Sequence, residues 1–222
     1  SLIFGTPGIP LSTIPRDTVS GISRVKELGL GAMELEFVQS VNVTPAMVPA
    51  VKFAAQKNNI ILTCHGQYYV NLAAKEVAKK EASVGRMLLA ARRVDEVGGW
   101  SVTWHLAFYQ GQAKEAVYAQ VKDAVSRVRK TLADEGRKVW IRPETTGKET
   151  QWGDLDEVIR LSQDVEGVMP CIDFAHLHAR YNGTNNTLDE FRAILSKIEK
   201  GLGKEALKNM HIQVCGIAYG PK

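Results

Sequence analysis

Side chains that can bind a metal ion through nitrogen or oxygen follow short apolar segments at five points in this chain. They are His65, His105, Glu144, Asp173, His176 and His211. One histidine behind an apolar run is usually a packed or hydrogen-bonded residue, but repetition across five runs is hard to attribute to packing alone. Imidazole and carboxylate ligands without a thiolate suit Zn, Mn or Fe. Such a site can activate a water molecule and hold a phosphoryl or carbonyl oxygen.

The elements that must position these side chains alternate along the chain. Apolar runs of strand length lie near residues 2–5, 32–38, 59–65, 100–105, 138–144, 168–173 and 209–215. Helical patterns lie at about 16–28, 44–57, 73–97, 112–134, 154–164 and 187–200. The alternation predicts an α/β fold with a parallel sheet, and the number of repeats favours a TIM (β/α)8-type barrel over an open sheet. Active-site residues of such barrels come from the carboxyl ends of the strands, where the six residues fall.

Local signals place some of these elements more closely. Thr44-Pro45 is typical of a helix start, and the pairs Asp154/Glu157 and Thr187/Glu190 have the spacing of a capping box. Strand side chains alternate between the two faces of a sheet, so Cys64 is expected to point away from its neighbour His65 and into the core.

The length and composition of the chain favour a single barrel domain over residues 1–222. With 45% hydrophobic residues, the chain can bury a sizeable core. A net charge of +4 permits a polyanionic partner such as nucleic acid but is also common without one. Three widely spaced cysteines imply neither a disulfide framework nor a Cys-x-x-Cys zinc site, which favours a cytoplasmic setting. No apolar stretch has the length of a membrane span, so we expect no membrane association. We also expect a monomer.

The glycine pattern argues against two kinds of nucleotide site. Gly29-Leu30-Gly31 precedes a strand instead of joining a strand to a helix, so it is not a dinucleotide-binding fingerprint. The chain also lacks a glycine-rich loop that ends in Lys-Ser or Lys-Thr, as a P-loop does. Nucleotide binding of the Rossmann or P-loop type is therefore not expected.

The residues around the candidate ligands carry a resemblance to a known family. The motifs are Cys64-His65-Gly66-Gln67-Tyr68, Trp104-His105, Arg142-Pro143-Glu144-Thr145-Thr146-Gly147, Cys171-Ile172-Asp173-Phe174-Ala175-His176 and Met210-His211. They resemble those of the endonuclease IV family, within the xylose isomerase-like barrels, over essentially the whole chain. The resemblance implies a metal-dependent hydrolase that cleaves the phosphodiester of DNA at abasic sites.

The same resemblance implies a set of ligands for one to three ions of zinc or manganese. By motif match, His65, His105 and Glu144 would hold the first ion. Glu144, Asp173 and His211 would contribute to the second, with Glu144 as the bridging carboxylate, and His176 would bind the third. Tyr68 and Arg142, expected at the mouth of the barrel, would contact the DNA backbone or stack on a base, although aromatic packing at the rim is an alternative for the tyrosine.

The sequence also departs from the family pattern in the expected pocket. Leu106 and Ala107 follow His105 where the family has Pro-Gly, and Gly66 and Gln67 follow His65 where it has Ala-Pro. Only seven βα strands are visible, and we expect the eighth, with further ligands, to be missing or disordered. The pattern suggests a natural member with altered function or an engineered variant with a rebuilt pocket.

Two alternative functions follow from these departures. In the first, Cys215 is the catalytic nucleophile of an ester hydrolase, with His176 or His178 as its base. This reading requires the last strand to stay extended, so that His211, Gln213 and Cys215 share one face. In the second, the chain is a non-catalytic barrel that retains vestigial metal ligands.

Overall fold

The computed structural model describes residues 2–220, and within this range the chain forms seven strands and seven α-helices. The strands are β1 (Gly5–Pro7), β2 (Ala32–Glu36), β3 (Ile61–His65), β4 (Ser101–Trp104), β5 (Trp140–Pro143), β6 (Cys171–Asp173) and β7 (His211–Gln213). The helices are α1 (Thr18–Glu27), α2 (Val48–Asn58), α3 (Val77–Glu96), α4 (Lys114–Asp134), α5 (Leu155–Asp164), α6 (Phe174–Arg180) and α7 (Leu188–Leu202). Short 3-10 helices lie at Pro45–Met47 and Lys204–Lys208.

The strands form two hydrogen-bonded sheets. Five strands are ordered β1-β2-β3-β4-β5, and the other two form the pair β6-β7. The ladders β1–β2, β2–β3 and β6–β7 are parallel, as a helix between successive strands requires. The predicted α/β class is confirmed, and every predicted strand is present.

The capping signals place two helices correctly. The side chain of Asp154 accepts a hydrogen bond from the N–H of Glu157, and the side chain of Glu157 accepts one from the N–H of Asp154, so α5 begins at a complete capping box. Thr187 and Glu190 form the same arrangement at α7. Thr44 makes no side-chain cap, and the chain instead enters α2 through the 3-10 turn that starts at Pro45.

Three details differ from the predicted elements. Strand β1 begins at Gly5, where the backbone lies so close to Ala32 that a side chain would not fit. The preceding residues Leu2, Ile3 and Phe4 are exposed, although the carbonyl of Phe4 accepts hydrogen bonds from Gly31 and Ala32. Helix α6 was not predicted, since it is short and follows its strand without a loop. Strand β7 ends at Gln213, two residues before Cys215.

The described chain forms two compact units. The first comprises the described residues through Tyr69, with Gly85–Val102 and Leu132–Trp140, and its core includes Met33, Leu62 and Cys64. The expected burial of Cys64 is confirmed.

The second unit comprises Val70–Val84, Thr103–Thr131 and the described residues from Ile141 onward. Its core includes Leu106, Val121, Ile141 and Ile172. The prediction of one domain over residues 1–222 stays a prediction. Among the described helices, none combines the length and apolar character needed to cross a membrane.

Candidate metal centre

Two strand ends of the second unit place His105 beside Glu144. The N–H of Glu144 donates to the carbonyl of Trp104, the last residue of β4, and His105 follows directly. This pairing puts His105 Nε2 2.9 Å from Glu144 Oε1. Glu144 is 1% exposed, whereas the His105 side chain is 23% exposed. The carboxylate is therefore buried beneath an imidazole that solvent still reaches.

A second imidazole approaches the same carboxylate oxygen. His176 Nδ1 lies 3.1 Å from Glu144 Oε1, and the His105 and His176 rings meet edge to face with centroids 5.1 Å apart. The other carboxylate oxygen of Glu144 accepts a long hydrogen bond of 3.4 Å from the hydroxyl of Thr103. Glu144 therefore lies at the centre of the cluster, and its role as a bridging ligand stays a prediction.

Asp173 explains the spacing of the Asp-x-x-His motif. It is the last residue of β6 and the N-cap of α6, where its Oδ1 accepts a hydrogen bond of 2.8 Å from the N–H of His176. The first turn of the helix then brings His176 Nδ1 to 3.4 Å from Asp173 Oδ2. One residue both starts the helix and contributes an oxygen to the cluster.

Thr145 holds the backbone around these side chains. Its hydroxyl accepts a hydrogen bond of 2.8 Å from the N–H of Asp173 and donates one of 3.1 Å to the carbonyl of the same residue. Its own carbonyl lies 2.9 Å from His176 Nδ1. A carbonyl can only accept, so Nδ1 carries a hydrogen in this contact. The same nitrogen lies 3.1 Å from Glu144 Oε1 and 3.4 Å from Asp173 Oδ2.

Gly147 leaves room for the imidazole of His176. A Cβ added at position 147 would lie 3.2 Å from His176 Cδ2, which is tighter than an ordinary van der Waals contact. The loop after β5 therefore passes close to the ring because it has no side chain there.

The electrostatics of the cluster favour a bound cation. Burial raises the pKa of Asp173, and the carboxylate of Glu144 adds to this effect. Burial alone would lower the pKa of His176, but the bond to Glu144 and the charge of Asp173 outweigh it, so the pKa is raised. Two buried carboxylates at close range thus hold a proton on the neighbouring imidazole.

The donor set fits a divalent metal ion. Among the described residues, Glu144, Asp173 and His176 each offer a ligand atom, and these atoms lie within 4.8 Å of one another. Carboxylate and imidazole donors without thiolate suit zinc or manganese. A cation would compete with the proton that these groups now hold, since both are attracted by the same oxygens.

His211 lies outside this group of three. As the first residue of β7 it is paired with Cys171, and Gln213 is paired with Asp173. His211 is buried, but it is opposite a residue two positions before the candidate ligand Asp173. The expectation that Glu144, Asp173 and His211 together bind the second metal ion stays a prediction.

His65 and Tyr68 belong to the first unit. His65 ends β3, is buried, and has Nδ1 2.8 Å from the carbonyl oxygen of Gly66. The Tyr68 ring packs edge to face against it, with centroids 5.5 Å apart, and is 55% exposed. The role of His65 as a ligand and that of Tyr68 as a substrate contact stay predictions.

Two further candidates occupy positions that differ from those expected. Arg142 is fully buried, so the expected contact with DNA does not fit its position. Cys215 is exposed beyond the end of β7. Slight desolvation and the charges of Asp173 and Glu144 raise the pKa of its thiol. A raised pKa keeps the thiol protonated, which disfavours a nucleophilic role.

The fold and this cluster can be compared with known proteins. The sequence profile of the xylose isomerase-like TIM barrels matches residues 22–218. The chain belongs to that family. An uncharacterized family relative from Methanocaldococcus jannaschii is 40% identical over 219 residues, which cover 99% of this chain and 78% of that protein. A probable endonuclease 4 from Mycoplasma pneumoniae is 29% identical over 164 residues, which cover 70% of this chain and 54% of that protein.

Solved structures that share this fold include proteins named for different activities. Endonuclease IV from Thermus thermophilus has a TM-score of 0.71 at 20% identity and covers 92% of this chain and 74% of its own. D-psicose 3-epimerase from Clostridium cellulolyticum has a TM-score of 0.72 at 14% identity and covers 99% of this chain and 86% of its own. At these identities the two structures support the barrel fold alone.

Sequence reasoning missed the groups that support the candidate ligands. Thr145 directly follows Glu144 in sequence, and alternation along β4 puts Thr103 on the face of His105. The N-cap role of Asp173 also had a signal, because aspartate is a favoured N-cap residue. No sequence signal indicates the hydrogen-bond acceptors of Arg142, since Pro170 and Asn209 lie 28 and 67 residues away in sequence.

Proposed function

We propose that the protein is a metal-dependent hydrolase of the endonuclease IV type, which cleaves phosphodiester bonds at abasic sites in DNA. The observation that carries this proposal is the cluster of Glu144, Asp173 and His176 at the carboxyl ends of β5 and β6, with His105 on the same carboxylate. The sequence motifs and the similarity to a probable endonuclease 4 support the choice of substrate.

Glu144, Asp173 and His176 would hold the metal ion, and His105 is placed to join them. A bound divalent ion would supply Lewis acidity toward a water molecule and a phosphoryl oxygen. Zinc and manganese both suit these ligands. The number of ions, from one to three, depends on whether His65 and His211 also contribute.

The protein's own residues keep this centre in place. Thr145 fixes the backbone of Asp173, and the N-cap bond fixes the start of α6, so two ligands stay in one orientation without a metal. A preorganised ligand set does not have to be rearranged when a substrate phosphate arrives. The partly exposed imidazoles of His105 and His176 leave the cluster accessible to solvent.

Two features of the chain are compatible with a DNA substrate. The net charge of +4 permits association with a polyanion. The exposed Tyr68 offers an aromatic face on which an unpaired base can stack. We do not include Arg142 among the substrate contacts, because it is buried.

A second candidate function is the epimerisation of a ketose sugar. The observation that favours it is the pair of buried carboxylates, Glu144 and Asp173, in one cluster, and the fold that this chain shares with D-psicose 3-epimerase is compatible with it. Paired carboxylates beside a metal ion also suit proton transfer next to a carbonyl group. The motif resemblance and the higher identity to a probable endonuclease 4 place this function second.

The test uses a DNA duplex that contains one abasic-site analogue. Metal-free protein is assayed for nicking with and without added zinc or manganese, and parallel samples receive D-fructose or D-psicose. We expect metal-dependent nicking by the parent chain, loss of it in Glu144→Gln, and retention in Glu149→Gln, whose side chain is exposed in the same connection. Sugar turnover without nicking by a folded, metal-loaded sample would establish the second candidate instead.

A further inference from the structure

The buried guanidinium of Arg142 connects strands that no ladder joins directly. Its Nη1 donates to the carbonyls of Pro170 at 3.2 Å and Asn209 at 3.0 Å, and its Nη2 donates to Asn209 Oδ1 at 2.6 Å. Pro170 directly precedes β6, and Asn209 precedes β7 by two residues. Arg142 itself is on β5. One side chain therefore reaches from β5 past β6 to β7.

This connection lies just below the candidate ligands. Arg142 is two residues before Glu144, and Asn209 is two residues before His211. In extended chain, residues two apart point to the same face and are about 6.5 Å apart along the strand. A bond between Arg142 and Asn209 therefore limits how far the strand ends that carry Glu144 and His211 can separate.

Other bonds also connect β5 to its neighbour β6, among them the two bonds between the Thr145 hydroxyl and the backbone of Asp173. The backbone links are the bonds between Ile141 and residues Gly167 and Met169, and one bond from Thr145 to Cys171. These form isolated bridges and not a continuous ladder. The strand β7 is paired to β6 over three residues. Arg142 adds a direct side-chain link from β5 to Asn209, in the segment that leads into β7.

The chemistry of the side chain suits this task. The guanidinium stays charged at neutral pH, because an arginine side chain is not deprotonated in proteins. A planar guanidinium can donate to three acceptors at once from a fixed fork, which a lysine ammonium on a flexible stem cannot reproduce. The charged donor also strengthens each bond to a neutral oxygen.

We propose that Arg142 is a positioning residue for the metal centre, and that it sets the spacing of the strand ends carrying Glu144, Asp173 and His211 through its bonds to Pro170 and Asn209. This inference rests on the metal binding in the proposed function. Residues that orient metal ligands typically change metal affinity by about 10- to 100-fold when they are altered. Arg142 acts through the backbone of β6 and β7 and not by contact with the ion or the substrate.

The experiment measures zinc affinity by competition with a chromophoric chelator, together with the urea unfolding midpoint of the metal-free protein. For Arg142→Lys we expect zinc binding weakened by about tenfold or more. Arg129→Lys is the matched control, because Arg129 also donates to a backbone carbonyl in the second unit, at Glu166, but contacts neither β6 nor β7 through that bond. We expect this control to bind zinc as the parent does.

Variants at Asn209 separate positioning from a general loss of stability. Asn209→Ala removes the side-chain acceptor and should weaken zinc binding in the same direction as Arg142→Lys, whereas Asn209→Asp keeps an acceptor and should bind like the parent. The effects of Arg142→Lys and Asn209→Ala should be less than additive, since both break one connection. If Arg142→Lys does not fold, the Asn209 pair decides the question.

The outcomes distinguish the two proposals. A parent chain that binds neither zinc nor manganese overturns the proposed function, and the role of Arg142 falls with it. A parent chain that binds zinc, with equal affinity in folded Arg142→Lys or in both Asn209 variants, overturns the positioning role alone. Lower affinity in Arg142→Lys and Asn209→Ala, with parent-like affinity in Asn209→Asp and Arg129→Lys, supports it.

Discussion

The hydroxyl of Thr145 makes two hydrogen bonds with the backbone of Asp173, one as acceptor at 2.8 Å and one as donor at 3.1 Å. Both groups are buried, so neither bond can be replaced by water without rearrangement. The residue beside Glu144 thereby fixes the residue that caps α6. The three ligand side chains of the cluster are connected through this threonine.

Replacement of Thr145 by valine should therefore damage stability and metal binding together. Thr145→Val keeps the shape but leaves the N–H and carbonyl of Asp173 without their partner, which costs about 1–3 kcal/mol for a buried group. We expect zinc binding to weaken by about tenfold. Urea unfolding and chelator competition measure the two effects. Thr131→Val, at a helical threonine whose hydroxyl bonds only to its own helix, serves as the control and should change neither.

Asp173 allows its charge to be separated from its capping role. Asp173→Asn keeps an oxygen that can accept from the N–H of His176, so α6 should still form, while the charge available to a cation is lost. Because burial raises the pKa of Asp173, removing the charge should not destabilise the metal-free protein. Asp173→Ala should in addition lose about 1 kcal/mol with the cap. Calorimetric zinc titration and urea unfolding of both variants test this, and equal zinc binding by Asp173→Asn would contradict it.

Metal binding should stabilise the folded chain. At a free zinc concentration of about 100 times Kd, the free energy of unfolding should rise by about 2.7 kcal/mol, because the folded state alone presents the assembled ligands. Addition of a chelator should reverse the change in thermal unfolding. The double variant Glu144→Gln/Asp173→Asn should show no response to zinc. A response of parental size in that variant would place the ion elsewhere.

The ion pairs of Glu135 with Arg92 and Arg137 should make the free energy of unfolding depend on pH. The bonds from Arg92, together with those from Arg137, lower the pKa of Glu135 to about 2. The folded state therefore favours the charged carboxylate, and this stabilisation is complete above the ordinary value of 4.5 and is lost as the pH falls toward about 2. Glu135→Gln should unfold more easily than the parent at about pH 7, with the difference shrinking below pH 4.5. Urea midpoints across this range measure it, and a difference independent of pH would contradict it.

Substitution of Cys215 distinguishes the metal-dependent hydrolase from the cysteine-dependent ester hydrolase. The thiol has a raised pKa and lies beyond the end of β7. We expect Cys215→Ser to nick abasic DNA at the parental rate and to bind zinc unchanged. Turnover of an activated ester that disappears in Cys215→Ser but persists in Glu144→Gln would favour the cysteine reading instead.

Local sequence signals predicted much of the fold and part of the candidate site. Capping boxes placed the starts of α5 and α7, and strand ends placed His105 and Glu144 next to each other. These features depend on neighbours in sequence or on the general rule that parallel strands end at one edge. The spacing of Asp173 and His176 also follows from a single helical turn.

Features set by long-range packing were not accessible in the same way. The burial of Arg142 depends on acceptors at Pro170 and Asn209, which no local pattern indicates. The position of His211 depends on the register of β7 against β6, and a strand of three residues carries too little pattern to fix it. For the same reason, the sequence pattern did not indicate that β7 ends before Cys215.

The close approach of Gly147 to His176 has a consequence for related sequences. A side chain at position 147 would press on Cδ2 of the imidazole and shift the ring by a few tenths of an ångström. A homologue with a larger residue at this position cannot keep the same imidazole placement, even if it retains every ligand. The identity of one residue that binds nothing can therefore serve to sort family members by the geometry of their centres.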